Sequence, residues 1–332
     1  MGQINTIKWG IIGCGNVTEV KSGPAFNNID DSQLIAVMRR DAEKASDYAR
    51  RHHVPRWYSD ADDLINDPEV NAVYIATPPD THAAYTIKAL QAGKAVYCEK
   101  PMALNSEECQ AMMAASEKYN QALYVAYYRR GQDYFHKVKE LIKEESIGKV
   151  LTVNLKLIQA PKAEDYSEET LTWRVKPEIS GGGYFIDLAP HQLDILQFLL
   201  NDEICDVQSV VNNQMNRYDA EDVVSASFQF ENGVVGSGLW CFNALDALSE
   251  DSIEIIGTRG KVSFSTFDYS PIVLQREEGV EEFAIKPPLH AQEPYIKSIV
   301  SELLNKDTSC ADTKMAFRTT QITDRILADY YR

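Results

Sequence analysis

The sequence has no run of basic residues, no CxxC pair, and no apolar stretch of the roughly 18 to 20 residues needed to cross a bilayer. Each absence excludes something. Nucleic acids are held through clustered cations, whereas this chain carries a net charge of −16 over 332 residues. A nucleic-acid partner is therefore not expected, although a locally basic pocket for one phosphorylated cofactor stays compatible. The six cysteines, at 14, 98, 109, 205, 241 and 310, stand singly. They offer neither a disulfide framework nor the Cys/His spacing of a zinc site, and no metal is expected. Isolated thiols suit a reducing cytosol. The opening MGQINTIKWGIIGCG enters a strand pattern without the charged and apolar regions of a signal peptide. The expectation is a cytoplasmic protein that does not touch membranes.

What is present is ordinary globular material. Hydrophobic residues make up 44% and charged residues 25%, enough for two substantial cores at this length. Up to about residue 126, short apolar runs alternate with helical patterns. The runs are Ile7 to Ile12, Gln33 to Met38, Val70 to Ala76, Ala95 to Cys98 and Leu123 to Ala126. That alternation predicts a parallel sheet covered on both faces. Beyond it the texture changes. A helix over about 132 to 145, a polar loop from Ala160 to Ile179 and a long helix from about 182 to 200 precede a series of polar/apolar alternating strands. Asn232-Gly233 and Thr258-Arg259-Gly260 read as hairpin turns among those strands. The predicted architecture is an α/β Rossmann domain over 1–125, then an α+β domain over 126–332 with a mostly antiparallel open sheet.

The first apolar run leads straight into Gly13-Cys14-Gly15-Asn16-Val17-Thr18. Glycines here allow a tight turn and let a diphosphate reach backbone N–H groups at the start of a helix. Thr18 stands where a third glycine is usual. Gly13, Gly15, Asn16 and Val17 are thus candidate cofactor contacts. At the end of the second strand, where a carboxylate would hold the adenosine ribose, stands Arg39-Arg40-Asp41. An arginine there accommodates a 2′-phosphate. NADP(H) is accordingly the preferred cofactor, with NAD(H) possible, and Arg39 and Arg40 are its expected readers. In the other reading, both arginines are solvated and Asp41 caps the next helix.

Within the long helix, Asp187, His191 and Asp194 fall at i, i+4 and i+7 and share one face. Their neighbours are apolar, so this polar stripe must meet either solvent or a site. A histidine one turn from a carboxylate suits proton transfer near neutral pH. Asp194 reads as a structural partner. Gly181 to Gly183 allow close backbone packing where the helix starts.

Three further strings point to a family. They are Ala76-Thr77-Pro78-Pro79-Asp80-Thr81-His82, Tyr97-Cys98-Glu99-Lys100-Pro101 and SGGGYFIDLAPHQLDIL from 180 to 196. Together with the glycine turn and Trp173-Arg174, they resemble the Gfo/Idh/MocA oxidoreductases along essentially the whole chain. The resemblance implies hydride transfer between a nicotinamide and a hydroxyl or carbonyl of a sugar or sugar derivative. It places Lys100 beside both the nicotinamide and the reacting oxygen, as a catalytic and cofactor-binding residue, and gives catalysis to Asp187 and His191 as well. It also assigns Thr77, Pro78, His82, Glu99, Trp173 and Arg174 to the cofactor. Tyr128 and Arg129 fall where relatives have a substrate loop, and Tyr184 is a further candidate for the pocket. Tyr127 and Tyr128 could equally be core residues with surface arginines after them. Two rivals remain: a reductase of a non-sugar substrate such as a trans-dihydrodiol, and a non-catalytic dinucleotide-binding sensor. The family also implies pairing through the open sheet, hence a homodimer or homotetramer.

Overall fold

The structure is a computed structural model that describes residues 5–331. The chain forms two compact units, each made of two segments. The first comprises the chain up to Gln132 together with Pro288–Phe317, and the second comprises Asp133–Pro287 together with the chain from Arg318 on.

In the first unit the elements run β1 (Ile7–Ile12), α1 (Asn16–Val20), α2 (Ala25–Asn28), β2 (Ser32–Met38), α3 (Ala42–Arg51), β3 (Arg56–Tyr58), α4 (Ala61–Ile65) and β4 (Ala72–Ile75). They continue as α5 (His82–Gln91), β5 (Ala95–Cys98), α6 (Ser106–Tyr119) and β6 (Leu123–Val125). All six strands are parallel, in the order β3-β2-β1-β4-β5-β6. That is the doubly wound Rossmann order, in which ligands bind beyond the carboxyl ends of the strands where the winding reverses. Here the reversal lies between β1 and β4. Both faces of the central strands are covered: Trp9, Tyr74 and Tyr97 lie in one core, and Ile12, Val73, Ile75 and Val96 in the other. The continuous apolar runs of the sequence follow from this double burial.

The segment after 288 adds α10 (Glu293–Leu303) to the first unit. Its Tyr295, Ile296, Ile299 and Val300 join the core of Trp9, Phe26 and Tyr97. A single boundary at residue 125/126 does not describe this return of the chain. The apolar spacing of EPYIKSIV can mark a helix but not the core that it enters.

The second unit runs α7 (Asp133–Lys143), β7 (Val150–Ile158), α8 (Pro177–Ser180), α9 (Tyr184–Leu200), β8 (Ile204–Asn212), β9 (Val223–Phe230) and β10 (Val235–Cys241). It continues with β11 (Glu250–Gly257), β12 (Gly260–Phe264), β13 (Ile272–Arg276) and β14 (Gly279–Phe283). Helix α11 (Thr313–Leu327) ends within this unit. The eight strands order as β14-β13-β12-β11-β7-β10-β9-β8 and pair antiparallel, except for the parallel pair β7/β10. Both expected hairpins form, at Asn232-Gly233 between β9 and β10 and at Thr258-Arg259 between β11 and β12. Alternation is clean on β9. Val224, Ala226, Phe228 and Phe230 are buried with residues of α7, α9 and α11, while Ser225, Ser227 and Gln229 face out.

Candidate active site

In the first unit the glycine turn is assembled from three strand ends. The N–H groups of Gly13 and Cys14 both donate to the Met38 carbonyl, at 2.9 and 3.1 Å. Gly13 has φ +93°, and a Cβ there would stand 2.8 Å from Thr77 Cγ2 and 3.0 Å from the Ala76 backbone. The β1 and β4 loops therefore touch at the reversal point, and only glycine fits. Gly15 is different: a Cβ there would enter open space, with Gly13 O at 3.8 Å. This open cradle is where a diphosphate has room to approach. Thr18 explains the missing third glycine. Its buried hydroxyl accepts from Gly15 N at 3.1 Å and donates to Gly15 O at 2.8 Å, closing the first turn of α1 by itself. The N–H groups of Asn16 and Val17, which a first helical turn cannot bond internally, lie next to the cradle.

Arg39 is half-buried, and its Nη1 donates to the Cys14 carbonyl at 3.3 Å, so the guanidinium stands against the glycine turn. Arg40 is exposed. Asp41 caps α3 by accepting from Lys44 N at 3.1 Å and pairs with the Lys44 ammonium at 3.0 Å. Its carboxylate is committed to the helix. Burial pushes the Cys14 thiol up to about 11, which leaves it an inert packing group. These residues fit an adenine dinucleotide.

The loop after β4 carries Thr77 and Pro78, both half-buried. His82, at the start of α5, is fully enclosed. Its Nε2 meets Thr77 O at 2.8 Å and its Nδ1 meets Pro101 O at 2.9 Å. Burial holds its pKa below the ordinary imidazole value, against the pull of those two carbonyls. His82 thus braces the Thr77 loop to the Lys100–Pro101 turn. Glu99 is buried. Its Oε1 accepts from Tyr74 Oη and Gln292 Nε2, each at 2.6 Å, and its Oε2 from the Lys100 N–H at 3.2 Å. Tyr97 Oη in turn donates to Gln292 Oε1 at 2.8 Å. Lys100 is half-buried at the end of this net. Gln292 was not foreseen, because it arrives from nearly 200 residues away and no local pattern marks it. Tyr128 lies in the core beside Tyr97, with the Arg129 guanidinium 4.9 Å from its ring; both are buried.

In the second unit, α9 starts where three glycines permit close contact. Gly181 ends α8 at φ +82°, and a Cβ on Gly183 would stand 2.9 Å from Ala220 Cβ. Gly183 N donates to the buried Glu221 at 2.8 Å. Further along, Trp240 Nε1 donates to Gln192 Oε1 at 2.7 Å and fixes the rotation of α9 over β10. So held, the first turns of α9 display Asp187, half-buried, and His191, 5% exposed. Asp194 is 1% exposed, in the core layer. Arg174 Nε donates to Asp187 Oδ2 at 3.0 Å while its guanidinium lies 4.5 Å from the Trp173 ring. The structure therefore brings Trp173 and Arg174 to Asp187. Phe267 packs edge-on against the His191 ring, with centroids 6.0 Å apart. Tyr184, 2% exposed, donates its hydroxyl to Asp165 Oδ1 at 2.7 Å. Lys162 and Asp165, from the polar loop, were not singled out in the sequence; a lysine in such a loop carries no distinguishing signal. Among the described residues no His/Cys/Asp/Glu group is arranged to hold a metal, and no helix is long and apolar enough to cross a membrane.

Comparison with known proteins identifies the family and the fold. Residues 7–127 match the model of an oxidoreductase family with an NAD-binding Rossmann fold, and residues 135–263 match that family's C-terminal domain. An oxidoreductase of Formosa agariphila is 41% identical over 96% of this chain and 97% of its own. The 1,5-anhydro-D-fructose reductase of Ensifer adhaerens is 25% identical over 84% of this chain and 83% of its own. A solved structure of levoglucosan dehydrogenase with NADH shares the fold, with a TM-score of 0.87 and 24% identity over 98% of this chain and 97% of that one.

Proposed function

This chain belongs to the Gfo/Idh/MocA family of NAD-binding oxidoreductases, and from that premise we propose that it transfers hydride between NADP(H) and a hydroxyl or carbonyl of a sugar derivative. The observation that carries the cofactor choice is the position of Arg39, hydrogen-bonded to the glycine turn, while Asp41 is spent on capping α3. A guanidinium there answers a 2′-phosphate and offers nothing specific to a free ribose hydroxyl. In kinetics with each cofactor, the wild type is expected to favour NADPH. Arg39→Asp should lose at least about tenfold in kcat/KM for NADPH, the weight of one charge-assisted contact. Equal use of NADH and NADPH by the wild type would reject this assignment. The reductase of Ensifer adhaerens supports a polyhydroxylated substrate.

When bound, the nicotinamide supplies the hydride chemistry. The chain's own groups handle charge and protons. The Asn16 and Val17 N–H groups would hold the diphosphate of that cofactor beside Gly15. Lys100, steadied by the Glu99–Gln292–Tyr97 net, hydrogen-bonds the reacting oxygen and stabilises developing alkoxide charge. His191 takes the hydroxyl proton in oxidation and returns it in reduction, with Asp187 beside it on the helix. His82 acts through the two loops that it joins.

The outward face of the second unit's sheet carries Val210 and Val235, 75% and 51% exposed, among serine, glutamine and asparagine side chains. We assign this face to subunit pairing. Light scattering at micromolar concentration should give a dimer or tetramer, and a monomer would contradict the assignment.

A further inference from the structure

Lys162 opens the 3-10 turn Ala163–Tyr166 in the second unit, and its ammonium is partly withdrawn from water. The Nζ lies 4.0 Å from the centroid of the Tyr184 ring, a cation–π contact that fixes where the side chain points. Among the described residues it forms no ion pair or hydrogen bond. Two of the carboxylates around it, Asp187 and Asp165, are committed elsewhere. Asp187 pairs with Arg174 at 3.0 Å. Asp165 takes the Tyr184 hydroxyl and the backbone N–H of Lys162 itself, each at 2.7 Å. Glu164 attracts it more weakly than Asp187 does. Burial lowers the lysine pKa more than these charges raise it. A cation so placed is costly unless something else supplies an acceptor.

The turn that presents it is fixed in advance. Asp165 ties both Lys162 N and Tyr184 to one carboxylate, and Thr170 Oγ1 donates to Glu164 O at 2.9 Å. Tyr184 opens α9, the helix that carries Asp187 one turn on and His191 two turns on. The lysine is therefore a preorganised donor at the same helix end as the proposed acid–base groups.

We propose that Lys162 is a substrate-recognising residue whose ammonium takes the carboxylate of a sugar acid, so that acidic sugars are preferred over neutral aldoses. A neutral hydroxyl would satisfy one N–H direction but leave the charge unanswered. A carboxylate supplies both the acceptor and the countercharge, and the gain is larger for partial desolvation. This rests on the oxidoreductase reading of the same domain and goes beyond it in naming the substrate class.

The test is calorimetric titration of the enzyme, first with NADPH and then, once saturated, with D-glucuronate, D-gluconate and D-glucose. At least one acid should bind ten or more times more tightly than glucose. Lys162→Met, which keeps the stem but not the charge, should lose that advantage while glucose binding changes less than threefold. Lys162→Arg should keep most of it. NADPH binding is read separately and should match the wild type in both variants, which shows that the fold is intact. Acids that bind no better than glucose, or an acid preference unchanged in Lys162→Met, would overturn the inference. With NADPH binding preserved, either result would leave the oxidoreductase reading standing.

Discussion

Lys100→Met is expected to lower kcat by about 100-fold or more, and His191→Ala by a similar factor, with the protein still folded and able to bind its nicotinamide cofactor. The two losses differ in kind. Methionine keeps the aliphatic stem of Lys100 but removes the donor to the developing alkoxide, so kcat and kcat/KM should fall together. Alanine at 191 removes the proton carrier, so the pH–rate limb due to the imidazole should vanish with it. Asp187→Asn adds a third point. The Arg174 Nε now donates to a carboxylate at 3.0 Å and would meet a neutral amide, which weakens the hold on this end of α9. Steady-state kinetics with any substrate the enzyme turns over measures all three. Near-wild-type turnover by Lys100→Met or His191→Ala, with an intact circular dichroism spectrum, would remove that residue from the mechanism.

The second large effect concerns stability and pH. Glu221 is fully buried beneath the start of α9, and burial raises its pKa from 4.5 to about 7 despite donors from Tyr331 Oη and Gly183 N. For a carboxyl with a raised folded pKa, both states are protonated below about pH 4.5. Between there and about pH 7 the unfolded chain releases the proton while the folded chain keeps it. Folding is thus progressively disfavoured as pH rises through that window, at about 1.4 kcal/mol per pH unit, or about 3 kcal/mol in all. Glu221→Gln keeps the shape and the acceptor for Gly183 N without the ionisation. Denaturant unfolding of the wild type should show a clear loss of stability from pH 5 to 8. The variant should show a flatter profile and be the more stable of the two at pH 8. Parallel profiles would mean that Glu221 does not carry this proton. The same carboxyl fixes the glycine-lined entry to α9, so its state bears on the helix that presents Asp187 and His191.

Much of this was legible in the sequence because it is local. The glycine turn after β1, the Thr77-Pro78 loop and the Glu99-Lys100-Pro101 string all sit at strand ends, where backbone geometry alone sets what a residue can reach. The i, i+4 spacing of Asp187 and His191 on α9 is fixed by helical pitch. Ala95–Cys98 falls where its short apolar run places it. The double burial of β1, β4 and β5 likewise shows as uninterrupted apolar runs.

What tertiary structure alone decided are the partnerships between residues distant in sequence. Gln292 reaching Glu99, α10 entering the first core, Arg174 turning to Asp187, and Glu221 meeting Gly183 and Tyr331 all depend on how the chain returns. Thr18 can replace a third glycine because its hydroxyl closes the turn on Gly15, a contact that depends on the folded turn. In the sequence Lys162 is one lysine among many; only the fold sets its ammonium against Tyr184 while Asp187 and Asp165 are engaged elsewhere. Periodicity and turn chemistry act over a few residues and therefore leave a pattern in the sequence. Desolvation and long-range hydrogen bonding act on groups that folding brings together, and no stretch of sequence records them.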